Sequence, residues 1–337
     1  MLPAQALRRI GFLLEAEGAA TYKVQAFRRA AATVEAMAPG ELERLNQEGR
    51  LATLKGIGDA TAAVISQALA GEVPDYLSSL EGRGPSLAGP AEQALLEALR
   101  GDCHSHSDWS DGGSPIEEMA RAAADLGREY LALTDHSPRL KVARGLSADS
   151  LRRQLQVVAE LNERLHPFRL LRGIEVDILE DGSLDQEDEL LAELDVVVAS
   201  VHSALRMEGA QMTRRMVVAV SNPLVDVLGH CTGRLVAGRS RPQSDFDPSE
   251  VFGACAAHGT AVEINSRPDR LDPPVALVRA AASAGCGFAV DSDAHAPGQL
   301  SWLHFGCQIA VEAGLDAASI VNTRPLDDFL AWTARAG

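Results

Sequence analysis

Between residues 101 and 295 the chain repeats one pattern seven times: a short apolar run, almost always closed by a residue that can bind a metal. The runs end at CHSH (103–106), YLALTDH (130–136), LLRGIEVD (170–177), VVVASVH (196–202), VDVLGH (225–230), TAVEIN (260–265) and GFAVDSDAH (287–295). Amphipathic stretches lie between them: SPIEEMARAAADLG, with Ser114 as N-cap and Pro115 at the first helical position, then SADSLRRQLQVVAELNERL, DPSEVFGACAAHG and DPPVALVRAAASAG. Short apolar runs alternating with helices imply parallel strands joined by crossover helices. Seven such units predict an α/β fold, a closed or distorted (β/α)7 barrel.

His104, His106, His136, Glu175, His202, His230, Asp293 and His295 all fall at or just beyond the C-terminal end of a predicted strand, the rim on which barrel enzymes build their sites. Six of the chain's nine histidines are in this set. Any one alone reads more simply as a satisfied polar residue; their joint placement on one rim does not. His166, His258 and His304 lie in helical or loop segments and read as structural. The stretch GDCHSHSDWSDGG (101–113) adds Asp111 ahead of a Gly-Gly turn. A rim of imidazole and carboxylate without thiolate suits Zn²⁺, Mn²⁺ or Fe²⁺, and it offers too many ligands for one ion. Two to three divalent transition-metal ions are expected, and ions about 3.5–4 Å apart can share a hydroxide nucleophile at a phosphoryl centre.

Charge restricts the partners. A net charge of −16 over 337 residues argues against a protein that coats nucleic acid by bulk attraction. Residues 1–90 hold nine Lys/Arg against ten Asp/Glu, leaving 22 against 37, so the first quarter is near neutral and the acidity lies beyond it. The five cysteines (Cys103, Cys231, Cys255, Cys286, Cys307) are scattered without a CxxC pair, which predicts reduced thiols. No apolar run is long enough to span a bilayer and MLPAQALRRIGFLLEAEG lacks the order of a leader, so no membrane partner and a cytoplasmic location are expected.

The composition breaks at EGRGPSLAGP (81–90), which reads as a linker. Helical periodicity before it covers roughly 4–17, 21–37 and 60–70. The expected division is 1–80 all-helical, 81–100 a linker and the helix AEQALLEALRG, and 101–337 the barrel. Within LATLKGIGDATAAVISQAL (51–69), Gly56 and Gly58 permit a tight turn, and the exposed N–H groups of the next helix make a phosphate site. Together with ATYKVQAFRRAAATVEAM (20–37), this resembles the amino-terminal helix-hairpin-helix domain of family X DNA polymerases over about 75 residues. The resemblance implies docking on DNA backbone without sequence reading, through Lys55, Gly56, Ile57 and Gly58 of the hairpin and Lys23 and Arg28 before it. DNA polymerase beta also uses lysines in the helix after the hairpin for Schiff-base chemistry. Ala60 and Val64 stand at those places here, so that activity is not implied.

The rim motifs DCHSHSDWSDG, TDHS, GIEVD, SVHSAL, GHCTGR and DSDAH are similar in order and spacing to the polymerase and histidinol phosphatase (PHP) domain, over about 101–334. ARGLS, EINSRPDRLD and NTRPLDDFL resemble the PHP domain at the carboxyl end of bacterial family X polymerases. The resemblance implies one metal at His104, His106, Glu175 and Asp293, a second at bridging Glu175, His202 and His230, and a third at Asp111, His136 and His295. Asp111 stands where free-standing histidinol phosphatases have histidine, as in the polymerase-linked branch, and Cys231 stands where proline is usual. No room exists between hairpin and barrel for the polymerase palm, so nucleotidyl transfer is not expected.

What the resemblance implies is hydrolysis by hydroxide attack at a trinuclear site. Glu175 and Asp293 are catalytic ligands there, and Arg144, Arg206, Arg234 and Arg270 are the candidates to neutralise phosphate oxygens. Three functions follow: a phosphoesterase on DNA ends (3′-5′ exonuclease or 3′-phosphatase, or abasic-site processing), a phosphatase of small phosphate esters, and a DNA-binding scaffold with a vestigial site.

Overall fold

The chain, described by a computed structural model over residues 1–82, 89–238 and 240–334, divides into two compact units, Met1–Ser86 and Leu87–Gly337. Most of the sequence expected to be linker, residues 83–88, lies outside the described residues; Glu81 closes one helix and Pro90 opens the next.

The first unit is helical: α1 (Pro3–Ala16), α2 (Thr21–Glu35), α3 (Glu41–Gln47), α4 (Asp59–Leu69) and α5 (Asp75–Glu81). Three of these match the sequence periodicity. The other two, α3 and α5, span only seven residues each and start behind Gly40 and Pro74 instead of a side-chain cap, so neither period nor start signal marks them. Each contributes two leucines (Leu42 and Leu45, Leu77 and Leu80) to a core around Leu7, Ile10, Leu14 and Phe27.

In the second unit α6 (Pro90–Ala98) precedes seven strands: β1 (Gly101–Asp102), β2 (Tyr130–Leu133), β3 (Arg169–Asp177), β4 (Val196–Ser200), β5 (Val227–Leu228), β6 (Ala261–Asn265) and β7 (Phe288–Asp291). They pair in chain order, every pair parallel. Helices α7 (Ile116–Asp125), α8 (Ala148–Leu165), α9 (Asp188–Leu191), α10 (Gly209–Val220), α11 (Pro248–His258) and α12 (Val275–Ala284) run between successive strands, and α13 (Leu303–Ala313) and α14 (Leu326–Thr333) follow β7. The start of α7 differs from expectation. Pro115, at φ −59° and ψ 152°, is itself the N-cap and Ser114 is not.

Side chains alternate along each strand, so one set faces the barrel interior. Tyr130, Ala132, Leu171, Val196, Val198, Val227, Ala261 and Ala289 form an apolar inner cluster, floored by Phe329 and Trp332 of α14. Two residues further along the same faces come Glu175 on β3 after Gly173, Glu263 on β6 and Asp291 on β7. The interior therefore changes from apolar to ionic at the carboxyl ends. The opposite faces, with Ile174, Val176, Val197, Leu228, Ile264 and Val290, pack on the helices.

The seam between β1 and β7 lacks a continuous ladder and is closed by side chains. Buried Asn322 accepts from Val290 N at 3.1 Å and donates to Gly101 O and Val290 O at 3.0 and 2.8 Å. Beyond it, Ser105 and Ala294 form a parallel bridge. The result is a nearly closed seven-stranded barrel. No helix among the described residues is long and apolar enough to cross a membrane.

Candidate metal centre

Glu175 is the hub of the rim. It lies on the inner face of the longest strand, β3, near its carboxyl end, and five imidazoles surround its carboxylate. His136 Nδ1 lies 2.8 Å from Oε2, His104 Nε2 3.4 Å and His106 Nε2 3.7 Å, while His230 Nε2 lies 2.8 Å and His202 Nε2 3.2 Å from Oε1. Each comes from the loop or strand end expected from the sequence, because parallel strands in chain order bring all their carboxyl ends to one rim.

A second carboxylate, Asp293, sits 3.3 Å from His106 Nε2 and 3.9 Å from His104 Nε2. Its backbone adopts a left-handed φ of 50°, a conformation that costs a non-glycine residue about 1–2 kcal/mol and persists where surrounding structure demands it. Asn265 Nδ2 holds its Oδ2 at 3.0 Å. Asp111 completes the rim, with Oδ1 3.4 Å from both His136 Nε2 and His295 Nε2.

The donor set fits divalent cations. Buried His104 Nε2, both nitrogens of His106 and His230 Nδ1 make no well-aligned hydrogen bond among the described residues. Unpaired polar atoms in a protein interior are costly, and imidazole nitrogens gathered beside carboxylates are the donor set that a divalent ion satisfies. Three overlapping groups have ligand atoms close enough to share an ion: His104, His106 and Glu175; His136, Glu175 and His202; and His106, Asp111, His136 and His295.

Charge is divided unevenly around Glu175. Burial opposes its ionisation, but His202, His104 and His136 hold it well below the usual carboxylate range. Burial also favours neutral imidazoles; Glu263 and Glu175 overcome it at His104, and Glu175 and Asp111 raise His136 to about 10. His106 stays depressed by burial and by neighbouring His295 and His136. One carboxylate cannot keep five imidazoles protonated.

Around these ligands lies a supporting layer that sequence reading did not single out. Glu263 accepts from His104 Nδ1 at 2.5 Å and from the His230 backbone N–H. Asp177 faces His202 Nδ1 at 3.3 Å and accepts from its backbone N–H at 3.1 Å. Such carboxylates fix the tautomer that presents the other ring nitrogen to an ion. Asp135 binds the 107–110 turn through Ser107 and Ser110 and is held from behind by Gln154.

The family model described as "PHP domain" matches residues 102–266, the span that carries β1 through β6. The chain carries a PHP domain. A "Helix-hairpin-helix domain" model matches residues 1–74. A protein of Bacillus subtilis named "DNA polymerase/3'-5' exonuclease PolX" is 38% identical over 71% of this chain, which spans 42% of that relative's length. A "Probable phosphatase" of Thermoanaerobacter sp. (strain X514) is 29% identical over 66% of this chain and 89% of its own length. Among solved structures, the histidinol phosphate phosphatase of Lactococcus lactis, in complex with zinc, L-histidinol and phosphate, aligns with a TM-score of 0.47 and 17% identity over 65% of this chain and 95% of its own.

The matched span of the PHP domain stops before β7, yet Asp293 and His295 close the same rim. The arginines separate. Arg270 lies by the centre, its Nε 3.3 Å from Asp293 Oδ2. Arg267, which the sequence did not single out, joins it: half-buried and paired with Asp269 at 3.2 Å, it sets Nη1 3.3 Å from His295 Nδ1 and 3.8 Å from Asp293 Oδ1. Arg234 is engaged elsewhere. Its guanidinium donates to the carbonyls of Arg270 and Leu271, so it braces the 267–272 loop instead of facing the ligands. Arg144 and Arg206 are exposed in loops of the same rim.

In the hairpin, Gly56 takes φ 86° and Thr61 Oγ1 accepts from Gly58 N–H at 2.9 Å. Lys55 and Lys23 are exposed, and Ile57 is buried in the core. Arg28 donates to both Glu15 oxygens, at 2.8 and 3.0 Å, and so ties α2 to α1.

Proposed function

We infer that the chain is a metal-dependent phosphoesterase acting on DNA ends, as a 3′-5′ exonuclease or 3′-phosphatase. The observation that carries the reading is Glu175 with five imidazoles on it, flanked by Asp293 and Asp111. The ligand sets are His104, His106, Glu175 and Asp293; Glu175, His202 and His230; and Asp111, His136 and His295. Divalent ions bound there would supply a hydroxide nucleophile near neutral pH and would screen the phosphorus oxygens. The chain's own groups do the rest. Glu263 and Asp177 orient His104 and His202, and Arg267 and Arg270 place positive charge beside Asp293, where the non-bridging oxygens of a phosphate would lie.

DNA as substrate class is supported by the helix-hairpin-helix unit and by the named activity of the Bacillus subtilis relative. Small phosphate esters remain the second reading, favoured by the Thermoanaerobacter relative, which matches two thirds of this chain. A scaffold with a vestigial site is disfavoured, because the rim keeps every ligand. Removing residues 1–86, a unit with its own core, tests the division of labour. The DNA reading expects KM for an oligonucleotide to rise while hydrolysis of p-nitrophenyl phosphate is unchanged. Unchanged DNA hydrolysis by the truncated chain contradicts it.

A further inference from the structure

We propose that the loop from β2 to α8, residues 137–147, is an apolar wedge that seats a DNA end at the metal centre. Val142 packs on the face of the terminal base, and Lys141 and Arg144 hold the flanking phosphates. The proposal rests on the DNA-end reading and gives that site its means of recognising an end.

Val142 is 89% exposed, more than any other large apolar side chain among the described residues. A lone exposed valine is ordinary. This one is framed by Arg139, Lys141 and Arg144, and no acid occurs between His136 and Ala148. Beyond residue 90 acids outnumber bases 37 to 22, so an acid-free basic loop stands out from its surroundings. Arg139 is partly neutralised by Asp185 at 3.4 Å. Lys141 and Arg144 are exposed, and neither forms an ion pair among the described residues. Cations left open to solvent around an aliphatic tip match a ligand with phosphates beside an apolar face, which is the chemistry of a nucleotide terminus. Apolar side chains inserted at base steps are a general mode of DNA binding.

The tip is held rigidly. Ala143 N and Gly145 N donate to Leu140 O at 3.0 and 3.2 Å, and Arg144 N donates to Lys141 O at 3.1 Å. Arg139 N donates to Asp185 Oδ2 at 2.6 Å. A Cβ on Gly145 would collide with the Ser137 carbonyl, so only glycine fits there. Arg144 is held at φ 59°. The loop also belongs to the metal centre: it departs at His136 and returns through a 2.7 Å bond from Leu146 N to His136 O. A group gripped by the tip is thereby placed relative to a ligand of the ions, with little ordering left to do on binding.

The test uses the full-length chain, with Val142→Ser and Lys141→Ala. Both side chains are exposed, so Tm should not move. Hydrolysis of p-nitrophenyl phosphate should also be unchanged. Val142→Ser should raise KM for a single-stranded oligonucleotide by up to about tenfold, the scale of burying one aliphatic side chain, and abolish the fluorescence change of a 3′-terminal 2-aminopurine in a phosphorothioate-protected oligonucleotide. Lys141→Ala should reduce the slope of log KM against log salt by about 1. If DNA is hydrolysed and both variants keep the wild-type KM, fluorescence response and salt slope, the wedge is overturned and the DNA-end reading stands. If the wild-type chain hydrolyses the ester but no DNA end, the DNA-end reading fails and the wedge falls with it.

Discussion

Replacing Glu263 by glutamine should weaken metal binding without removing a ligand. Both carboxylate oxygens face donors: Oε1 accepts from His104 Nδ1 at 2.5 Å, and Oε2 accepts from the His230 backbone N–H and from Asn265 Nδ2 at 3.2 Å. A glutamine has one acceptor and one donor at these places, so either orientation sets N–H against N–H in a fully buried position. If the amide nitrogen faces His104, the ring must carry its proton on Nε2, the atom that points at Glu175 and Asp293, and it can no longer ligate. If the amide faces the backbone, the His230 N–H is left buried without an acceptor, at a cost of about 1–3 kcal/mol. Loss of an outer carboxylate usually lowers metal affinity by about 10–100-fold, or roughly 1.4–2.7 kcal/mol. Ion content after dialysis against graded chelator reads the affinity, and kcat at saturating metal should stay within a few-fold of wild type. Equal metal retention at every chelator concentration, with unchanged Tm, would refute the role given to Glu263.

Glu175→Gln should release more than one ion per chain by elemental analysis, since its two oxygens face different histidines; loss of a single ion would show that the carboxylate does not bridge. In the metal-free protein His136 is raised from the usual 6.5 to about 10, burial notwithstanding, by Glu175 and Asp111. Because the folded value lies above the unfolded one, protonated His136 stabilises the metal-free fold fully below about pH 6.5, and that stability is lost as pH rises toward 10. Ion binding at pH 7 must displace this proton. Calorimetry in buffers of different ionisation enthalpy should therefore detect proton release at pH 7 that fades toward pH 10, and none at pH 7 would contradict the protonated state. Asn322→Leu should destabilise the barrel by about 1–3 kcal/mol in urea titration, because Gly101 and Val290 lose buried partners at the seam; a variant as stable as wild type would show that the seam closes without it.

The barrel and its candidate ligands were legible because two simple periods coincide. Apolar runs recur with helical spacers, and each run hands its terminal residue to one rim, so His104, His106, His136, Glu175, His202, His230, Asp293 and His295 could be collected before any distance was known; Asp111 closes no run and was marked only by its place in the DCHSHSDWSDG motif and the resemblance to the PHP family. The supporting residues were not legible in this way. Glu263 and Asp177 look like ordinary strand acids until barrel closure sets one against His104 and the other against His202. Arg267 and Arg234 show the same limit: both follow rim strands, and only loop conformation turns one toward Asp293 and the other onto carbonyls. Arg28 reads as a surface cation in an amphipathic helix, and its pairing with Glu15 depends on how α1 crosses α2. The short α3 and α5 carry too few residues to show a period.

The central claim, a metal phosphoesterase whose substrate is a DNA end, is tested most directly by comparing kcat/KM of the full chain, with Mn²⁺ and with Zn²⁺, for release of a 3′-terminal nucleotide or phosphate from an oligonucleotide and for hydrolysis of histidinol phosphate. The account predicts that the DNA end is preferred and that His202→Ala abolishes both reactions. Faster turnover of histidinol phosphate than of any DNA end would contradict it.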